Sequence, residues 1–214
     1  MRNFTELDAK VCACTEALTA KLDGSNGKRA ILLCGGTGCL SSNSAELQKK
    51  NPTTVGQTTA VNASAMLRGA RGNSGVILSL LFRGISKKLK GHNEADGVLW
   101  AEALQEGVDA AYKAVMKPAE GTILTVSRLA AAKARKAAKN NNHIEFVQQA
   151  AIEEAKVALA NTTEMNPVLK KAGVVDAGGK GWVVALEAML SSMRGEEIIA
   201  PVSADTAEPK DAAD

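Results

Sequence analysis

The stretch GTILTVSRLAAAKARKAAKNNN, residues 121–142, decides the fold class. A Gly-Thr start, a run crowded with alanine and an asparagine cluster bound one helix. Alanine loses no side-chain entropy on entering a helix, whereas Asn and Gly favour turns. The neighbouring sequence repeats this character, and alanine fills 17 of the 60 positions from 101 to 160. Aromatics are 3% of the 214 residues, against 45% hydrophobic and 23% charged. These are ordinary values for a globular protein and exclude a chain disordered throughout. With so few rings, the core must be built from aliphatics and alanine.

Working outward, the helical pattern holds from Thr54 onward. One helix covers about 54–69. A second begins near Gly72–Gly75, carries Leu78, Leu81, Ile85 and Leu89 on one face, and ends at Gly91. A third starts near Asp96 and shows Leu104, Val108, Ala111 and Val115. The alanine-rich fourth follows Gly121. A fifth carries Ile144, Val147, Ala151, Ala155 and Leu159. A short sixth, capped by Thr162 or Thr163, ends at Gly173, and a seventh begins near Gly178 and ends before Gly195. No segment alternates in the manner of a strand, so the class is all-α. Upstream, residues 4–22 read as a helix, 30–34 as one short buried strand, 35–38 as a tight loop, and 41–50 as a helix broken by Asn51-Pro52. Residues 200–214 hold two prolines and several acids with little to bury, which predicts a disordered tail or linker. The expected organisation is therefore an N-terminal segment 1–53, a helical domain 54–199 and a tail 200–214.

Charge narrows the function. Lys and Arg number 26 against 23 acids, a net +3, with no long basic run. Nucleic acid is not suggested. The most apolar stretch, Val76 to Phe82, is interrupted by Ser79 and is too short to span a bilayer. With no integral membrane segment or targeting signal visible, a cytoplasmic location is expected. All four cysteines, Cys12, Cys14, Cys34 and Cys39, fall in the first 39 residues, and a reducing compartment argues against structural disulfides. His92 and His143 lack metal-spaced partners and read as surface residues. Tyr112 and Trp182 read as core or groove wall. Lys133, Arg135, Lys136 and Lys139 make a basic helix face, which solvent or an anionic surface would suit.

Three glycine-bearing loops each precede a helix: Arg71-Gly72-Asn73-Ser74-Gly75, Lys117-Pro118-Ala119-Glu120-Gly121-Thr122, and Asp176-Ala177-Gly178-Gly179-Lys180. A helix start exposes unpaired N–H groups with partial positive charge, and glycine lets an anion approach that backbone. Ser74 and Thr122 offer hydroxyls to phosphate oxygens, and Asp176 can accept from a ribose hydroxyl or orient its loop. The same residues also serve simply as helix caps. No P-loop or Gly-x-Gly-x-x-Gly pattern is present.

Taken in order, Leu67 to Ser79, Lys117 to Val126 and Gly173 to Gly181 strongly resemble the nucleotide-binding (DhaL-type) domain shared by dihydroxyacetone (glycerone) kinases and bacterial fatty-acid kinases, the fatty-acid kinase branch most closely. The resemblance covers about residues 54–199. It implies a barrel of antiparallel amphipathic helices with ATP at one end. It also implies nucleotide contacts at Gly72, Asn73, Ser74, Gly75, Thr122 and Ile123, and a closing loop at Asp176, Ala177, Gly178 and Gly179. The implied reaction moves the ATP γ-phosphate, leaving ADP, to a substrate held by a partner protein, such as a fatty-acid-binding one.

The family also carries an Asp-Gly-Asp-x-Gly-x-Asn loop whose carboxylates hold Mg2+ on the ATP phosphates. This chain has no such motif; the positional equivalent is Cys34-Gly35-Gly36-Thr37-Gly38-Cys39-Leu40, which cannot hold magnesium. Residues 31–42 instead resemble the thioredoxin-like iron–sulfur segment of the flavoprotein subunit of NAD(P)-reducing hydrogenases. There two cysteine pairs bind a [2Fe–2S] cluster; Cys34 and Cys39 supply one pair only, so no intact cluster is expected. The expected activity is an impaired kinase, with a non-catalytic nucleotide-binding scaffold or a redox module on Cys34 and Cys39 as alternatives.

Overall fold

The computed structural model describes residues 53–196. Within them seven helices and no strand occur: α1 (Val55–Gly69), α2 (Gly72–Leu89), α3 (Gly97–Ala114), α4 (Ile123–Asn140), α5 (Ile144–Met165), α6 (Pro167–Ala172) and α7 (Ala177–Arg194). The all-α expectation therefore holds across the described residues. The expected helix-strand-loop-helix segment, all four cysteines and the 200–214 tail lie outside them.

The long helices run up and down. At the lower end, the Val55 and Gly56 N–H groups donate to the Asn93 and His92 carbonyls, each at 3.1 Å, and Gly97 N–H donates to the Asn142 carbonyl at 3.0 Å. These bonds gather the start of α1, the α2–α3 loop and the α4–α5 loop. Asp96 caps α3 by accepting from Leu99 N–H at 2.8 Å, and Asn142 Nδ2 donates to the same carboxylate at 2.9 Å. That Leu99 bond, ahead of the Asn142 one, holds the Asp96 carboxyl below its ordinary range. The four remaining connections, around residues 70–71, 115–122, 166 and 173–176, consequently share the upper end.

The short α6 departs from the expected boundary. Thr162 and Thr163 belong to α5, which runs on to Met165, and Thr162 is buried with its hydroxyl donating to the Leu159 carbonyl. Asn166 is the cap instead: its side chain accepts from Val168 N–H at 3.0 Å, and Pro167 takes the first helical position, where no N–H is needed.

Small residues let the helices approach closely. A Cβ added at Gly84 on α2 would stand 2.4 Å from the Glu106 carbonyl oxygen, and one at Gly107 on α3 would stand 2.7 Å from the Leu81 oxygen. Ala103, Ala111, Ala134, Ala151 and Ala155 are fully buried between α3, α4 and α5. This is the aliphatic and alanine core that the composition demands. Trp182 on α7 is buried and meets Phe82 edge to face at 5.9 Å. Gln148, also buried, accepts from Trp100 Nε1 at 2.6 Å and donates to the Leu186 carbonyl at 2.9 Å. His92 and His143 are exposed. On the basic face of α4, Lys133 pairs across to Glu154 at 3.7 Å, a surface contact of small energetic weight.

Gly84→Ala should destabilise the domain by about 1–3 kcal/mol through overpacking against backbone. Gly181→Ala, which meets open space in α7, should stabilise it by roughly 0.4–1 kcal/mol. Denaturant titration reads both, and equal effects would contradict the close α2–α3 crossing. Trp100→Phe should cost about 1–3 kcal/mol more than Trp182→Phe. The first orphans the Gln148 oxygen, whereas the Trp182 indole N–H has no partner among the described residues to lose.

Candidate functional site

The three glycine loops meet at the upper end, around the last turns of α5. A Cβ at Gly178 would stand 3.2 Å from Ser74 Oγ, 3.3 Å from Ser74 Cβ and 3.3 Å from Asp176 Oδ2, so the start of α2 touches the start of α7. Asp176 N–H donates to Thr162 Oγ1 at 3.1 Å. A Cβ at Gly121 would stand 3.1 Å from the Thr162 carbonyl oxygen and 2.9 Å from Met165 Cβ. Thr162 thus joins the α3–α4 loop to the loop that enters α7. Gly121 has φ +73° and Gly72 φ +64°, left-handed conformations that glycine adopts without strain.

The expected contact residues play different parts. Ser74 is exposed, and among the described residues its hydroxyl has no hydrogen-bond partner. Gly72 and Asn73 are exposed beside it, and a Cβ added at Gly75 would stand 3.4 Å from Ala70 Cα. Thr122 commits its hydroxyl to the Ala119 carbonyl at 2.8 Å. Ile123 is 2% exposed and buries its side chain in the core, so only its backbone, at the start of α4, is left for a ligand. Asp176 caps α7, its Oδ2 accepting from Gly179 N–H at 2.7 Å. It therefore orients its loop. Gly179 is buried against Val126 and Leu159, while Ala177 lies exposed on the first turn.

Capping differs between the helix starts. Asp176 caps α7, but neither α2 nor α4 receives a side-chain cap, which leaves their first N–H groups available. Arg71, Lys117 and Lys180 are exposed around this end and form no ion pair among the described residues. The setting attracts anions.

One network here was not legible as a motif. Arg128 on α4 donates from one terminal nitrogen to both Glu120 oxygens, at 3.0 and 2.9 Å, and from Nε to the Tyr112 hydroxyl at 3.0 Å. The bond to Tyr112, and then Glu120, holds the guanidinium all the more firmly protonated. Thr125 Oγ1 donates to Glu120 at 2.7 Å and accepts from Gly121 N–H at 3.0 Å. The one available signal was a cation near the positive start of a helix with no acid in its first turn, an arrangement that calls for a partner from outside the helix.

Magnesium does not fit this set. Glu120 is engaged by Arg128 and Thr125, Asp176 by its capping bond, and no group of three or more His, Cys, Asp or Glu suited to a metal occurs among the described residues. A separate open hollow of about 560 Å³ lies at the lower end, lined by His92, Glu94, Asp96 and Glu102 among others. Its acids repel phosphate, and Asp96 and Glu102 are already engaged by Leu99 and Lys88. The upper end is the better candidate. No described helix is long and apolar enough to cross a membrane.

The DAK2 domain family matches residues 37–191. Protein YloV of Bacillus subtilis is 46% identical over 159 residues, 74% of this chain and 29% of that protein. An uncharacterized protein of Staphylococcus saprophyticus is 48% identical over 147 residues, 68% of this chain and 26% of its own length. One from Staphylococcus aureus is 43% identical over 158 residues, 74% of this chain and 29% of its own. The chain thus spans less than a third of the length of these relatives. The match begins at Thr37, inside the segment resembling a hydrogenase subunit, and lends that resemblance no support. The chain belongs to the DAK2 (DhaL-type) domain family.

Proposed function

We propose that the upper end binds ATP for phosphoryl transfer to a substrate presented by a partner protein in the cytoplasm. The contact of Ser74 with Gly178 carries this reading, because it brings two of the three glycine loops to one place. The α2 start at Gly72–Gly75 and the α4 start at Thr122–Ile123 offer N–H groups to phosphate oxygens, and Ser74 adds a free hydroxyl. The loop Asp176–Gly179 forms the facing wall. Large apolar side chains exposed at this end support docking of a partner: Met116 is 99% and Val168 74% exposed, with Met165, Val174 and Val175 also open.

On this reading residues 54–199 form the nucleotide domain, and binding outlasts turnover. Helix starts and hydroxyls hold an anion loosely, but phosphoryl transfer needs the migrating charge neutralised. Glu120 and Asp176 are committed elsewhere, which favours weak or absent turnover by this chain alone. The family match reaches back to Thr37 and so takes in the second half of the Cys34–Leu40 loop, read here as the position of the missing metal loop, while Cys34 and Gly36 precede it.

Thermal melting of the full chain with ATP and magnesium tests binding. At a hundredfold excess over the dissociation constant the folded state should gain about 2.7 kcal/mol, a rise of roughly 5–10 °C for a domain of this size; an unmoved midpoint would overturn the proposal. Ser74→Ala should weaken ATP about tenfold by removing one hydrogen bond to a charged oxygen, with stability within roughly 0.5 kcal/mol of wild type. Unchanged affinity would remove Ser74 from the site. The double variant Cys34→Asp/Gly36→Asp should gain magnesium dependence in the same titration. No gain would mean that this loop does not stand where the family's metal loop does.

A further inference from the structure

The α3–α4 loop carries an acid at the mouth of an uncapped helix. Glu120 stands three residues before Ile123, the first residue of α4, in a segment otherwise suited to anions. A free carboxylate there would cap α4 itself or repel an incoming phosphate. It is not free. Arg128, in the second turn of α4, holds both of its oxygens, and Thr125 holds one of them. Arg128 is braced in turn by the Tyr112 hydroxyl on the last turn of α3. The network therefore spans the loop, from Tyr112 before it to Thr125 and Arg128 after it. Through Thr125 it also takes up the Gly121 N–H, the donor just ahead of the helix start.

The geometry points to Arg128 as a positioning residue that withholds Glu120 from the α4 N-terminus and cancels its charge, keeping that helix start open to phosphate. The inference rests on the nucleotide reading above and assigns Arg128 no contact with the nucleotide. Because the pair is half exposed, its effect on affinity is modest and sensitive to salt.

The test compares the full chain with Arg128→Met, Glu120→Gln and the double variant, by ATP titration in magnesium and by amide hydrogen exchange without nucleotide. Arg128→Met should weaken ATP by about fivefold at low ionic strength, a defect that shrinks in high salt. The double variant should return to within about twofold of wild type, because removing the unpaired acid removes the competitor. Glu120→Gln alone should bind nearly as wild type. In Arg128→Met the amides of residues 119–125 should exchange roughly tenfold faster, with those of α5 unchanged. A double variant as weak as Arg128→Met would overturn the inference and place Arg128 on the phosphate itself, and unchanged exchange in Arg128→Met would overturn it independently of any nucleotide. If wild type binds no ATP, the nucleotide reading fails, while exchange still decides whether Arg128 orders the loop. Should Arg128→Met fail to fold, Tyr112→Phe removes only the brace and should show the same changes at smaller amplitude; wild-type exchange and affinity in it would overturn the inference.

Discussion

Gln148 ties three helices with one side chain. Sitting on α5 with no exposure, it accepts from the Trp100 indole of α3 and donates to the Leu186 carbonyl of α7. A buried amide left unpaired costs about 1–3 kcal/mol per lost partner, so both bonds must form together, and they form only when α3, α5 and α7 sit in one register. The consequence reaches the upper end. The start of α7 is the Asp176–Gly179 wall, and its height against Ser74 is set by where Leu186 stands, more than two turns along the same helix. A core of alanine and aliphatics slides easily between similar packings; a polar crosspiece that bonds from helix to helix removes that freedom.

Much of this was legible in the sequence because the helices are amphipathic and their stops are chemical. Leu81, Ile85 and Leu89 on α2, and Val147, Ala151 and Ala155 on α5, are buried as their spacing requires. Convergence of the glycine loops follows from counting: in an up-and-down bundle the connections after α1, α3 and α5 share an end. The boundary between α5 and α6 was not legible, since Thr162 and Asn166 are both good caps. What separates them is tertiary, because Thr162 is buried against the α7 entry and Asn166 precedes a proline. The pairing of Arg128 with Glu120, eight residues apart across a loop, matches no helical spacing and needed three-dimensional placement.

The site residues divide between holding the loops and facing outward, and sequence could not assign them. Thr122, Asp176 and Glu120 carry the polar atoms that look most ready for a ligand, yet all three are engaged internally. Ser74 and the backbone starts of α2 and α4 are what remain. A hydroxyl or carboxylate beside a glycine is equally a cap or a contact until the nearest N–H is located, so motif chemistry alone overstates the number of ligand groups.

The loop lengths fit this division of labour. The α1–α2 connection has only Ala70 and Arg71 between helices, too short to wander, so its exposed Gly72–Ser74 turn is fixed by the helices on either side. The α3–α4 connection is eight residues long, from Val115 to Thr122, and needs the Tyr112, Arg128, Glu120 and Thr125 network to hold one shape. Close packing through Gly84, Gly107 and the buried alanines fills the bundle, and the buried Ser79, Ser127 and Thr162 hydroxyls donate to carbonyls of their own helices. Chemistry is therefore confined to the ends. Of the two, the lower end is hydrogen-bonded to itself through Asp96 and Asn142, and Glu94, Asp96 and Glu102 line its hollow, whereas the upper end gathers the glycine loops, the uncapped starts of α2 and α4 and the unpaired Ser74 hydroxyl. The close approach of glycine-bearing loops at one end only, with a hydroxyl left unengaged among them, is what separates the proposed binding end from the other in a bundle whose two ends are built from the same kinds of helix.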